Sequence, residues 1–399
     1  METIIRTMMD LIAGEVCGKA VTAVPDLPED AQTQLYRLSK AHDLAHLVGN
    51  ALIRQDRITD GELKAKFEKQ IMVAVYRYEK INHELQRLCR TLNEAKIPFI
   101  PLKGAVIRQY YPEPWMRTSC DIDILVREEQ VEEAAQVIAE KLGYTDKKKC
   151  YHDISLMSGS GVHLELHHSL REDEENLDRV LSACWDYAVA CDGYEYRFEK
   201  EFFFFHQVAH ACYHFLRGGC GVRPFLDIYL LERELSPDRE ALDRLLSAAG
   251  IRKFAETASA LAEVWFGNRE HTDVTRRMEQ FVLSGGVYGN KDNLMAIGQQ
   301  SEKGRVGYVL HRIWLPYEPL CRVYPKLQGR RYLQPFYEIR RWFRVFDPKA
   351  RSRRKQELDA IKRLDAEKKA EQATRNTSAM ISVILPSSIK RKITLNFLL

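Results

Sequence analysis

Near residue 97 the hydrophobic period of the chain changes from about 3.6 residues to 2, and near residue 172 it changes back. Before the change, "LKAKFEKQIMVAVYRYEKINHELQRLCRTLNEAK" repeats apolar residues at threes and fours, as a long amphipathic helix does, and "IP" stops it. Upstream, "DAQTQLYRLSKAHDLAHLVGNALI" keeps the same period, with Asp30 available as an N-cap. After the change come "IPFIPLKG", a short strand with prolines, then "AVIRQYYP", a brief helix or turn, and "CDIDILV", a second strand. "REEQVEEAAQVIAEKLGY" starts acidic and ends at Gly143, which reads as a helix with a glycine C-cap. "KKKCYHDISLMS" and "GVHLELHHSL" read as two further strands joined through "GSG". The order strand–helix–strand–helix–strand–strand gives a small mixed sheet with helices on one face. The fold class is therefore α+β, with α-helical regions before and after the sheet. Four segments are expected: a helical region over 1–95, the core over 96–171, a second helical region over 172–350, and a charged helix with a poorly ordered tail over 351–399.

The second strand is unusual in carrying two acids, Asp121 and Asp123, among Ile, Leu and Val. Acids are poor strand formers, and burying them unpaired is costly. Alternation resolves the conflict: both carboxylates share one face, roughly 7 Å apart at their Cα atoms, while Ile122 and Ile124 face the core. Carboxylates are hard oxygen ligands suited to Mg²⁺ or Mn²⁺. In "GVHLELHH", His163, Glu165 and His167 alternate with Val162, Leu164 and Leu166. If this strand neighbours the first, Glu165 sits beside the aspartates. Three like charges so close raise one another's pKa values unless a cation joins them. Two cations shared by such acids suit phosphoryl or nucleotidyl transfer. The plainer reading is a solvated acid pair at a strand end.

Taken in order, "LKG", "YYPEPWMRTSCDIDILV", "LGY" and "HLELHH" resemble the uncharacterised nucleotidyltransferases of the polymerase-beta superfamily. "HQVAHACYHFL" and "RPFLDIYLL" are similar to the helical region that follows that catalytic core. The resemblance covers roughly residues 35–345. It implies a nucleotidyltransferase core in which Asp121, Asp123 and Glu165 are the catalytic, metal-binding acids. It implies two Mg²⁺ ions, or Mn²⁺, with an NTP as substrate. It also implies that Gly104 lets the backbone approach the triphosphate. The implied reaction moves a nucleoside monophosphate to an acceptor, which could be a small molecule, a sugar, a protein side chain or an RNA end. This chain has Lys103-Gly104 where the superfamily carries Gly-Gly or Gly-Ser, and its third acid is Glu. Lys103 could contact a phosphate as a point charge. Those differences motivate the alternative, a catalytically inactive module that binds a nucleotide or RNA.

Other residues carry weaker signals. Arg117 precedes the acids and could meet a phosphate or pair with the acids themselves. His206, His210 and His214 recur on one helix face, where they could pack, line a cleft or bind zinc; His210 is the choice for substrate contact. Arg223 and Asp227, four apart, read as a helix ion pair. Arginines and aromatics at 322–355 could bind phosphate backbones, but an outer helix face is the commoner reading. The net charge of +4 neither requires nor excludes nucleic acid, so that partner is left open and not favoured. Nine scattered cysteines without a CxxC pair fit reduced thiols, and the N-terminus lacks the pattern of a signal peptide. No apolar run approaches the roughly 20 residues of a membrane span, so a cytoplasmic, soluble protein is expected.

Overall fold

The computed structural model describes residues 2–19, 27–149, 152–172, 174–286 and scattered positions between 317 and 337. Within them lies a five-stranded sheet of β1 (Phe99–Pro101), β2 (Asp121–Val126), β3 (Thr145–Lys149), β4 (Asp153–Met157) and β5 (His163–His167). The order is β1-β2-β5-β4-β3. Only β2 and β5 run parallel; the other neighbours are antiparallel, so the sheet is mixed and the fold α+β.

Alternation gives the sheet two chemically different faces. On one, Ile122, Ile124, Ile154, Leu156, Leu164 and Leu166 are buried against two helices, α4 (Gly61–Glu94) and α6 (Val131–Leu142). Each such side chain contributes about 1.5–3 kcal/mol by leaving water. Helix α4 starts where the Asp60 carboxylate accepts from the Glu62 amide, and α6 stops at left-handed Gly143. The other face carries Asp121, Asp123, Ser155, His163, Glu165 and His167.

Around this sheet stand α1 (Glu2–Val16), α2 (Glu29–Ala41) and α3 (Ala45–Arg54) on the N-terminal side of the sequence. Asp30 does not cap α2, because Pro28 holds the N-cap position and Asp30 lies in the first turn. The periodic segment breaks between α2 and α3 at Asp43, whose φ of 54° is left-handed. A four-residue α5 (Gly104–Ile107) links β1 to the loop before β2. Beyond the sheet come α7 (Glu175–Leu181), α8 (Lys200–Leu216), α9 (Arg223–Leu235), α10 (Arg239–Ala248), α11 (Arg252–Phe266) and α12 (Asp273–Gly285).

Two expectations need correction. "KKKCYHDISLMS" holds not one strand but parts of two, because Lys147–Lys149 belong to β3, which folds back antiparallel on β4. The region after 172 is not wholly helical, since β6 (Ala188–Ala190) and β7 (Tyr196–Phe198) form a small hairpin. Most of the arginine–aromatic zone, the charged helix and the tail lie outside the described residues.

The chain divides into two compact units. The first comprises Met1–His210, Val222–Arg252 and Ala258–His271, and holds the sheet. The second comprises Ala211–Gly221, Lys253–Thr257 and Thr272–Leu399. In the second, Phe215 packs on Phe254 and Phe281 at ring distances of 5.3 and 4.5 Å, and Thr272 caps α12 through a capping box. Among the described residues, no helix is long and apolar enough to cross a membrane.

Candidate active site

The parallel register of β2 and β5 places Asp121 beside His163 and Asp123 beside Glu165. Ligand atoms of Asp121, His163 and Glu165 lie within 4.8 Å of one another, as do those of Asp123, Glu165 and His167. The acids expected from alternation therefore meet on one face. Asp123 is buried, whereas Asp121 and Glu165 are half-buried.

Asp123 is the electrostatic centre. Its Oδ1 accepts from Lys103 Nζ at 2.8 Å and from His167 Nε2 at 2.9 Å. A carboxylate only accepts, so His167 donates through Nε2. That nitrogen also lies 3.5 Å from Glu165 Oε2, and the buried Nδ1 of the same ring finds no hydrogen-bond partner among the described residues. His163 bridges Ser155 Oγ at 2.6 Å and Glu165 Oε1 at 3.8 Å.

The charges respond accordingly. Burial opposes ionisation of Asp123, but Lys103 and His167 outweigh it and hold its carboxyl well below the usual range. Burial also opposes the charge on Lys103, and Asp123 overcomes it, raising the ammonium above its ordinary value. For Asp121, burial and then the Asp123 charge push the carboxyl up to about 6, against the pull of Lys103. The hydrogen bond from His167 lowers Glu165 despite its burial. Burial drives buried His206 down to about 3, helped by the cations of Lys103 and His167, so its ring is neutral beside the site.

Lys103 reaches Asp123 from a strained backbone. Its φ of 46° and ψ of −121° lie in a region dominated by glycine, and the Ala105 amide donates back to the Leu102 carbonyl across this turn. Such strain costs about 1–3 kcal/mol and persists only where the surroundings enforce it. Gly104 follows. A Cβ there would lie 3.0 Å from Ser119 Cβ, so the close approach of α5 to the loop before β2 favours glycine.

That loop is pinned from two sides. Arg117 donates twice to Asp227 on α9, through Nε and Nη2, both at 2.8 Å, and Tyr111 donates to the same carboxylate at 2.7 Å. Thr118 donates to Asp43 at 3.0 Å, and Asp43 also pairs with Arg223. Arg223 and Asp227 thus do not form the i,i+4 pair expected from spacing; each reaches a partner more than a hundred residues away. Among the described residues, Arg117 forms no hydrogen bond or ion pair with either of the acids that follow it. His210 sits 3.4 Å from Glu172, at Nδ1 and Oε1.

Sequence reasoning missed Arg108. This buried guanidinium donates to the Gly104 carbonyl at 2.8 Å and to Ser119 Oγ at 3.2 Å, tying together the two sides of the close approach. Its position four residues after Gly104 is the one signal that could have suggested it.

A divalent cation fits the chemistry of the face. Asp121, Asp123 and Glu165 carry more negative charge than Lys103 and His167 offset, and burial first, then the neighbouring Asp123 charge, raises the Asp121 carboxyl. Oxygen ligands suit Mg²⁺ or Mn²⁺, and the His163 imidazole adds affinity for Mn²⁺.

A family profile described as "Uncharacterised nucleotidyltransferase" matches residues 28–267. No curated protein and no solved structure matches the chain.

Proposed function

We propose, from the premise that the chain belongs to the uncharacterised nucleotidyltransferase family, that it moves a nucleoside monophosphate from an NTP to an acceptor with Mg²⁺ or Mn²⁺ at the β2–β5 face. The observation that carries this is the meeting of Asp121, Asp123 and Glu165 through the parallel register. A strand carrying two acids beside a strand carrying a third also supports placement in the polymerase-beta superfamily.

In the reaction, an acceptor oxygen bonds to the α-phosphorus, the bond to pyrophosphate breaks, and the acceptor's proton leaves. Asp121 and Glu165, next to Asp123, would hold the divalent cation, which would neutralise charge on the α-phosphate and on the departing pyrophosphate. Half-buried Glu165 is placed to take the acceptor's proton. Lys103 fixes the position of Asp123. Arg108 holds Gly104 against Ser119, and Arg117 locks the loop onto Asp227. The rate then derives chiefly from orientation and fixed charge. Acceptors to be tested are small molecules, sugars, protein side chains and RNA ends.

Lys103, already paired with Asp123, favours a second reading: a module that binds a nucleotide without turnover. One pair of measurements separates the two. Pyrophosphate release with each NTP and Mn²⁺ or Mg²⁺, in the presence of cell extract, should be abolished in the Asp121→Asn, Asp123→Asn double variant. Full release in that variant sinks the transferase reading. Calorimetric NTP binding without release by the native protein supports the module.

A further inference from the structure

We infer that Lys103 stands where a second divalent cation would stand, so that the face binds one ion, on Asp121, His163 and Glu165. The inference deepens the transferase reading and rests on it for its catalytic meaning, although the ion count can be measured without it.

The argument begins with the lone pairs of Asp123. Its Oδ1 already accepts two hydrogen bonds, from Lys103 at 2.8 Å and His167 at 2.9 Å. A carboxylate oxygen has two lone-pair directions, so this one is full, which leaves Asp123 only its Oδ2 for an ion, beside the same ammonium. An ion at the roughly 2.0–2.1 Å of a Mg²⁺–oxygen bond would sit against the ammonium, and like charges repel strongly away from water. Lys103 is also hard to move. Its side chain is mostly buried, its carbonyl accepts from the amides of Val106 and Ile107, and its left-handed backbone is held between β1 and α5. The neighbouring Leu102 amide donates to the Asp123 carbonyl, so backbone and side chain both fasten this turn to β2.

The other half of the face is the reverse. Asp121 forms no hydrogen bond or ion pair among the described residues, and its carboxylate lies with those of Glu165 and the His163 ring inside 4.8 Å. All three are partly open to solvent, which leaves room for the waters a six-coordinate ion retains. One oxygen-rich position with an imidazole is therefore free, and the second is filled by a permanent ammonium. A covalently attached cation cannot exchange or depart with pyrophosphate, so metal dependence should follow a single binding event.

The test counts Mn²⁺ by electron paramagnetic resonance on the full chain without nucleotide. The native protein should bind one ion, and His163→Ala should raise its Kd by about tenfold or more. Lys103→Met, checked for folding by circular dichroism, should bind two. Either none or two ions on the native protein overturns the inference, as does a folded Lys103→Met variant that still binds one. Should that variant fail to fold, the native count and the His163→Ala shift decide. Pyrophosphate release is scored apart. One ion with no release from any NTP overturns the transferase reading and leaves the one-ion site standing, whereas release with two ions does the opposite.

Discussion

The loop before β2 and the strand that follows it treat carboxylates in opposite ways. In the loop, acid and base are matched: Asp227 takes Arg117, and Asp43 takes Arg223. On the strand and its parallel neighbour β5, Asp121, Asp123 and Glu165 share one face with Lys103 as the fixed ammonium. Matched pairs hold a shape. An unmatched excess is left to attract a cation, at some cost in stability, and the matched loop beside it fixes the strand end.

The sharpest way to break this comparison is to remove a matched acid. Asp227→Ala leaves Arg117 and Tyr111 buried without their acceptor and should cost about 3–5 kcal/mol in chemical denaturation. A loss under 1 kcal/mol would mean that the loop does not depend on the pair. Next in size is the neutral His206. Its folded value, about 3, lies below the unfolded 6.5, so only the unfolded chain gains a proton as pH falls through 6.5. Stability from this group is intact above pH 6.5 and is lost progressively toward pH 3. It should amount to about 2 kcal/mol between pH 7 and pH 5, and His206→Gln should flatten that slope by the same amount. An unchanged slope would separate His206 from the charged face. Gly104→Ala should cost about 1–3 kcal/mol by overpacking on Ser119, and Ser119→Gly in the same chain should recover part of it. The smallest effect falls on the unmatched side. Asp121→Asn should leave stability unchanged or raise it by up to about 1 kcal/mol, although it lies on the candidate site. A large loss there would show Asp121 to be matched after all, and the contrast would fail.

What the sequence discloses follows the range of the forces involved. β2 and β5 were legible because alternation is local, and their shared face follows from it. Their adjacency was a condition that periodicity could not settle, since pairing depends on how the chain returns. β3 was missed because its residues are exposed and polar, so no apolar alternation marks them. β6 and β7, three residues each, are too short for periodicity to register. Asp30 lost its cap to Pro28, two residues earlier, through a local competition that composition does not rank. Spacing on α9 suggested Arg223 with Asp227, but both partners come from distant segments, and distance along the chain hides them. The turn at Lys103 was hidden as well, because nothing in "LKG" says that the lysine rather than the glycine takes the left-handed backbone.

The clasp between Arg117 and Asp227 also sets a schedule. The two residues are 110 positions apart. During synthesis at about 5–20 residues per second, roughly 5–20 s separate their emergence from the ribosome. For that interval the acids of β2 exist without the partner that fixes the start of their strand. The clasp thus forms only after α9 has been made, and a nascent protein truncated before residue 227 carries Asp121 and Asp123 without the pair that fixes the loop before them.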